Sequence, residues 1–196
     1  MSNKIKIGVL VSGSGTNLQA IIDACMSHKI DAKVVVVISN KKEAFALQRA
    51  KKYNIRAVFV DAKKYDFDRK AIEILEKFEV DLVCLAGFLL KLGKNFIRKY
   101  RGKILNIHPA LLPKFGGKGM YGIKVHQTVL EANERISGCT VHLVDEKYDH
   151  GKIILQKKVK VFKNDTPVKL QKRVLKQEHK LYPEAIKLVI KRHLLI

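Results

Sequence analysis

Ile5-Lys6-Ile7-Gly8-Val9-Leu10-Val11-Ser12-Gly13-Ser14-Gly15-Thr16-Asn17-Leu18 decides how this chain folds. From Ile5 to Val11 the run is almost continuously apolar, the pattern of a parallel strand covered on both faces. Glycines then supply a tight turn. Over residues 17–27, Leu18, Ile21, Ile22 and Cys25 fall on one face of a helix. A strand that passes through a glycine-rich turn into a helix opens a doubly wound α/β sheet. Free N–H groups at the start of that helix are able to bind an anion. Two familiar versions of the motif are excluded. A dinucleotide fingerprint needs a third glycine where Leu18 stands, and an acidic residue where the second strand ends in Ser39-Asn40. A P-loop needs the G-K-[ST] that is missing here. A plain structural turn is also open on the residues alone.

The same rhythm continues outward. Residues 34–38 read as a second strand and 42–53 as a helix, with Ala44, Leu47, Ala50 and Lys51 on successive turns. Residues 57–60 form a third strand, 66–78 a helix and 81–86 a fourth strand; a short helical segment then leads to a strand over 103–108. The expected fold is α/β: a doubly wound, mostly parallel open sheet with helices on both faces. Further on the pattern predicts a helix near 123–134, strands near 138–144 and 152–161, and a long helix from about Pro167 that Pro183 kinks or restarts. Four glycines within residues 114–122 mark a mobile loop. With 196 residues, 47% of them hydrophobic, the chain can bury one proper core, so a single domain over 1–196 is expected.

The chemistry gathers at the end of the fifth strand. Alternation puts Ile104, Asn106 and His108 on one face and Leu105 and Ile107 on the other, and Pro109 ends the strand. A polarising amide beside a titratable base suits acyl transfer to an amine; a polar strand end with a satisfied histidine is the alternative. Asp149 follows His108 by 41 residues. In the last helix, Glu178 interrupts an apolar stripe of Val174, Leu181, Ala185 and Leu188. Glutamate is rarely buried unpaired, so its partner is an internal cation or a ligand. Residues 85–92 leave the fourth strand at its carboxyl end, where open α/β sheets bind ligands; their apolar side chains either cap the core or receive a flat ring. His142 reads as a structural histidine or one that supports the site from behind its contact residues, and His126 and His179 as packing or surface groups.

The formal charge is +21, from 39 basic and 18 acidic residues. The lysines are dispersed, with no dense basic tail, so a positive field suited to anionic small molecules is expected rather than a specific nucleic-acid partner. A basic, non-catalytic nucleic-acid-binding module is the alternative of a different class. Cys25, Cys84 and Cys139 are odd in number and widely spaced, as reduced core thiols are. No apolar run approaches the ~20 residues that span a bilayer, and the N-terminus lacks a signal-peptide pattern. Cytoplasmic location and no membrane association are the expectations. No His or Cys spacing suggests a metal.

Asn106-Ile107-His108-Pro109-Ala110-Leu111-Leu112-Pro113 resembles the signature of the folate-dependent formyltransferases, which transfer or hydrolyse the formyl group of 10-formyltetrahydrofolate. The resemblance runs nearly end to end: Ser12-Gly13-Ser14-Gly15-Thr16-Asn17-Leu18, Leu85-Ala86-Gly87-Phe88, Gly138-Cys139-Thr140-Val141-His142, Asp149-His150-Gly151, Ile153-Ile154-Leu155-Gln156 and Gln177-Glu178-His179-Lys180-Leu181-Tyr182-Pro183. Each block is weak alone, and their order and spacing together are specific. The resemblance implies a Rossmann-like formyltransferase fold. It also implies 10-formyltetrahydrofolate as co-substrate, with the formyl group passed to the amine of glycinamide ribonucleotide in de novo purine (IMP) biosynthesis. The amine would attack directly, without covalent intermediate or metal. By the same resemblance Asn106 steadies the oxyanion, His108 shuttles the proton, and Asp149 holds the imidazolium and raises its pKa. Gly15, Thr16, Asn17 and Glu178 would hold the ribonucleotide; Lys64, Leu89, Leu90, Lys91, Leu92, Asn106, Asp145 and Tyr148 would lie on the folate side.

The resemblance further divides the domain into a phosphate-binding half (about 1–100) and a catalytic and folate-binding half (about 101–196). The partners it implies are the two small-molecule substrates, in a monomer or homodimer. Three departures from the family stand out. Leu90 occupies a position where relatives often carry a basic or aromatic residue. Lys64 stands where many have arginine, and so lacks the bidentate fork. The 116–122 loop is longer than in many relatives and is expected to act as a lid. Neither the additional C-terminal domain of methionyl-tRNA formyltransferases nor the N-terminal regulatory domain of the deformylases is expected in this chain.

Overall fold

A computed structural model of the protein describes residues 4–193. The elements run β1 (Ile5–Val11), α1 (Thr16–Met26), β2 (Ala32–Ser39), α2 (Phe45–Lys52), β3 (Arg56–Phe59), α3 (Phe67–Lys77), β4 (Leu82–Leu85), α4 (Lys94–Lys99), β5 (Ile104–His108), α5 (Ile123–Glu131), β6 (Ile136–Leu143), β7 (Ile153–Lys160) and α6 (Pro167–His193). Seven strands form one sheet in the order β3-β2-β1-β4-β5-β6-β7. Pairing is parallel from β3 across to β5. It is antiparallel between β5 and β6 and between β6 and β7.

Two apolar layers explain why the inner strands carry near-continuous hydrophobic runs. Ile7, Val9 and Val11 of β1 join one core with Leu18 and Ile21 of α1, Leu47 of α2 and Val174, Tyr182 and Ile186 of α6. Leu10 points to the other core, with Phe67, Ala71 and Leu75 of α3 and Phe96 of α4. Each such side chain, fully removed from water, contributes roughly 1.5–3 kcal/mol. The same alternation splits β5: Ile104 belongs to the second core, Leu105 and Ile107 to the first. Helices thus cover both faces, and Asn106 and His108 share a side as the period of two requires. Gly8 has a packing reason. A Cβ there would overlap the Leu75 side chain, so its absence lets α3 lie close on β1.

Three boundaries differ from the sequence expectation. α2 begins at Phe45, not residue 42, and Lys51 is exposed. α5 ends at Glu131 rather than near 134, where Asn133 turns into the left-handed region at φ 52°. α6 does not restart at Pro183: it is one helix over Pro167–His193 with Pro183 inside it. Proline forfeits one backbone bond there, and burial of the neighbouring Leu181, Tyr182, Ala185 and Ile186 offsets the loss. Tyr182 also ties α6 to the sheet, its hydroxyl lying 3.0 Å from the Leu85 carbonyl and 2.9 Å from that of Leu105. The Leu85 carbonyl ends β4 and the Leu105 carbonyl lies near the start of β5, the two strands that lead into the site.

Candidate active site

β1 is flanked by β2 on one side and β4 on the other, so the chain crosses over in opposite directions from this strand. A cavity of about 520 Å³ opens at the carboxyl ends of the strands there. Its walls come from the turns after β1 and β4, the end of β5, the 116–122 loop, the β6–β7 loop and α6.

The 12–17 turn is braced on all sides. Ser12 Oγ donates to Asn40 Oδ1 (2.7 Å) and accepts from Leu89 N–H (2.9 Å). Ser12 N–H donates to the Gly87 carbonyl (3.2 Å) and Ala46 N–H to the Gly13 carbonyl (3.1 Å). Arg49 Nε donates to the Ser14 carbonyl (2.8 Å). Gly15 sits at φ 72°, and a Cβ there would come within 2.6 Å of Ala46 Cβ; glycine is required for conformation and for space. Thr16 and Asn17 follow on the cavity wall. Asn17 Nδ2 donates to Glu178 Oε2 at 2.7 Å, a bond between residues 161 apart in sequence. The partner of Glu178 is therefore an amide, not an internal cation. Burial pushes the Glu178 carboxyl above its ordinary pKa, and the Asn17 bond opposes that shift. Among the described residues, Asn17 Oδ1 is buried with no hydrogen-bond partner.

Asn106, His108 and Asp149 meet on the opposite wall. His108 is 4% exposed. Its Nε2 lies 2.8 Å from the Phe115 carbonyl, so Nε2 carries the proton. Nδ1 is left facing Asp149 Oδ2 at 3.5 Å. Asp149 Oδ2 also accepts from Gly117 N–H at 2.9 Å. The residues on either side of His108 share a feature: Phe115 (φ 57°) and Asp149 (φ 50°) are both non-glycine residues in the left-handed region. Backbone strain of this kind gathers where the surrounding structure imposes a functional geometry.

His142 belongs to the same constellation. The antiparallel register pairs Asn106 directly with His142. His142 Nδ1 is 2.8 Å from the Leu143 carbonyl and donates to it, so the bare Nε2 accepts from Asn106 Nδ2 at 3.1 Å. Asn106 Nδ2 lies a longer 3.5 Å from Asp149 Oδ1. One amide hydrogen is thus committed to His142, and the other is held only weakly. His126 reaches the cavity from α5, 1% exposed, with its Nδ1 unpartnered. Burial, followed by the nearby His108, lowers its pKa to about 4.

The expected effect of Asp149 on His108 is present but outweighed. Asp149 does raise the pKa of His108, as does the Phe115 carbonyl, but desolvation is the larger effect and His142 adds to it; the net shift is downward. Burial therefore favours the neutral imidazole of His108. For Asp149, burial pushes upward, and the His142 imidazole, the His108 charge and the Gly117 N–H together outweigh it, leaving the carboxylate below its ordinary pKa.

On the folate side expected from sequence, Leu89, Leu90, Lys91, Leu92, Asp145 and Tyr148 all line the cavity. Lys91 Nζ stands 5.1 Å from the centre of the Tyr148 ring. Lys64 is not brought there: it is exposed in the turn after β3, where its N–H bonds to the Asp61 carbonyl. Gly15 shapes the 12–17 turn without lining the cavity. Glu178 crosses from the second half of the chain to Asn17 in the first, while residues 89–92 cross the other way, so the two halves interleave. The sequence left His126 outside the site and allowed His142 only a structural or supporting place behind it. The cross-strand partner of Asn106 was the available signal for His142; the Phe115 carbonyl, a backbone group, left none.

The chain matches the family model described as formyl transferase over residues 5–186. It is 45% identical over 186 residues to the chloroplastic phosphoribosylglycinamide formyltransferase of Arabidopsis thaliana, an alignment that spans 92% of this chain and 64% of the plant protein. It is also 45% identical to the phosphoribosylglycinamide formyltransferase of Haemophilus influenzae, over 93% of this chain and 85% of that protein. Among solved structures, glycinamide ribonucleotide transformylase 1 from Symbiobacterium toebii superposes with a TM-score of 0.90 at 42% identity, covering 95% of this chain and 88% of that one.

Proposed function

Since this chain belongs to the formyl transferase family, we propose that it transfers the formyl group of 10-formyltetrahydrofolate to the amine of glycinamide ribonucleotide, giving formylglycinamide ribonucleotide and tetrahydrofolate in de novo purine biosynthesis. The observation that carries the reading is one cavity with two differently equipped walls. One holds an anion-ready helix start beside the Asn17–Glu178 pair. The other holds Asn106 beside a neutral, desolvated His108.

The folate supplies an activated formyl group. Asn106 donates its less committed amide hydrogen to the oxygen that becomes negative as the amine attacks; one such donor is worth ~2.7–4 kcal/mol of barrier. His108 takes up the proton shed by the amine at Nδ1, the ring nitrogen that Phe115 leaves free, and returns it toward the departing folate nitrogen. Asp149 steadies the transient imidazolium from 3.5 Å. His142 holds the Asn106 amide in the donating orientation. An amine is already a nucleophile, so the scheme uses no acyl-enzyme and no metal.

Thr16 and Asn17, with the turn shaped by Gly15, receive the phosphate, and Glu178 contacts the ribose or amine. Residues 89–92 with Asp145 and Tyr148 receive the folate, its flat ring among the apolar side chains. Lys64 lies away from the cavity and has a folate role only if the turn after β3 moves inward. The partners are the two small substrates, and the protein acts as a monomer or homodimer. Its reduced thiols Cys25, Cys84 and Cys139 suit the cytoplasm; no helix of the described residues is long and apolar enough to cross a membrane. The test is incubation of purified protein with both substrates and mass spectrometry of the ribonucleotide. A formyl mass increment on the ribonucleotide is expected, and its absence would overturn the assignment.

A further inference from the structure

The chain between β6 and β7 carries Asp149 into the cavity, and its neck is closed. Leu143 N–H donates to the Lys152 carbonyl at 2.9 Å. A Cβ on Gly151 would collide with the Leu143 carbonyl, so the two ends of the loop touch. Above the neck stands a second closure. Asp145 Oδ1 accepts from Lys147 N–H at 2.8 Å, and Asp145 Oδ2 pairs with His150 Nδ1, also at 2.8 Å. The carboxylate thus takes one bond from each arm of the turn. Asp149, at φ 50°, is enclosed between those bonds and immediately precedes His150. Among the described residues, Asp145 is the one hydrogen-bond partner of the His150 side chain. Unlike Asp149, His150 touches neither the cavity nor His108.

We propose that His150 is a positioning residue: its bond to Asp145 holds the backbone of Asp149 in the left-handed conformation that presents the carboxylate to His108. An L-residue leaves that region readily when nothing imposes it. The remaining restraints on Asp149 act on its side chain, through Gly117 N–H and, more weakly, Asn106 Nδ2. The Asp145–His150 bond is the restraint on the backbone next to it. Both partners are partly exposed, with side-chain accessibilities of 62% for His150 and 42% for Asp145, so a modest and measurable effect is expected. For its effect on turnover the proposal rests on the formyl-transfer reading; for its effect on His108 it does not.

The test compares His150→Ala with His150→Asn, because asparagine keeps a donor near the place of Nδ1. In His150→Ala, kcat should fall about twofold to fivefold with the KM for the ribonucleotide unchanged. The NMR titration of His108 should move to lower pH, because Asp149 no longer stays beside it. The groups facing His108 are Asp149, His142, His126 and the Phe115 carbonyl; the substitution alters none of them directly. His150→Asn should restore both readouts. A His150→Ala protein that melts earlier yet keeps the wild-type kcat and His108 titration would overturn the proposal, as would failure of asparagine to restore them. If the wild-type protein transfers no formyl group, the functional reading fails, and the His108 titration still decides the positioning claim.

Discussion

His108 and Phe115 are joined by a 2.8 Å contact between an imidazole Nε2 and a backbone carbonyl, and that contact decides which nitrogen of His108 carries the proton. With Nε2 committed as a donor, Nδ1 keeps the free lone pair, and Asp149 stands 3.5 Å from it. In the proposed reaction the strand end supplies the base, the 116–122 loop follows directly from the residue that sets the tautomer, and the β6–β7 loop supplies the counter-charge, so that reaction needs all three segments in place together.

Asp149→Asn should shift the His108 titration further down and lower turnover with it. Burial already places the His108 pKa below its ordinary 6.5, and Asp149 opposes that shift. Removing the carboxylate removes the opposition. The acid limb of the pH–rate profile should therefore move to lower pH while the plateau falls. NMR titration of His108 in both proteins checks the sign; an unmoved midpoint would place the charge of Asp149 outside the reaction.

Asn106→Ala and His108→Ala should each reduce kcat by about a hundredfold or more with circular dichroism unchanged. Loss of Asn106 also strips His142 Nε2 of its donor. Hence His142→Ala should reproduce part of the Asn106 defect, and the double variant should fall no further than Asn106→Ala alone. Additive losses would show that His142 acts on something other than the amide.

Glu178→Gln should weaken ribonucleotide binding and leave folate binding nearly level, because a charge-assisted bond worth ~1.5–3 kcal/mol is replaced by a neutral one. Asn17→Leu should also cost stability, since it leaves Glu178 buried without its one hydrogen-bond partner, at ~1–3 kcal/mol. Calorimetry with each substrate separates the two effects. A fall in melting temperature with unchanged ribonucleotide affinity in Glu178→Gln would make that residue structural.

His126 gives the fold a dependence on acid. Its pKa is about 4 in the folded protein against 6.5 as the ordinary value. The unfolded chain therefore binds the extra proton first, and stability rises with pH across that window. Between pH 6.5 and 4 the wild type should lose about 3 kcal/mol more than His126→Gln. Parallel denaturant titrations of the two proteins across this range would refute the claim.

Much of this arrangement was legible in the chain. The inner strands announced themselves because burial on both faces leaves no room for polar alternation, and the side shared by Asn106 and His108 follows from the two-residue period. The partner of Glu178 was not legible. A carboxylate on an apolar stripe advertises that something meets it, but an amide 161 residues away carries no local signal. That Pro183 does not restart the helix has a related reason: helix breaking is a local rule, and tertiary burial around Tyr182 overrides it. The tautomer of His108 depends on a backbone carbonyl at a residue with positive φ, which residue identity does not encode. Lys64 was assigned by resemblance alone, and no local chemistry argued for placing it at the cavity.

The central claim is that Asn106 and His108 drive formyl transfer from folate to the ribonucleotide amine, rather than to water. The most direct measurement is the release of tetrahydrofolate from 10-formyltetrahydrofolate, followed with and without glycinamide ribonucleotide, in the wild type and in His108→Ala. Release that requires the ribonucleotide, matches formylated product one for one, and falls about a hundredfold in His108→Ala is the predicted result. Release at the same rate without ribonucleotide, or transfer undiminished in His108→Ala, would contradict it.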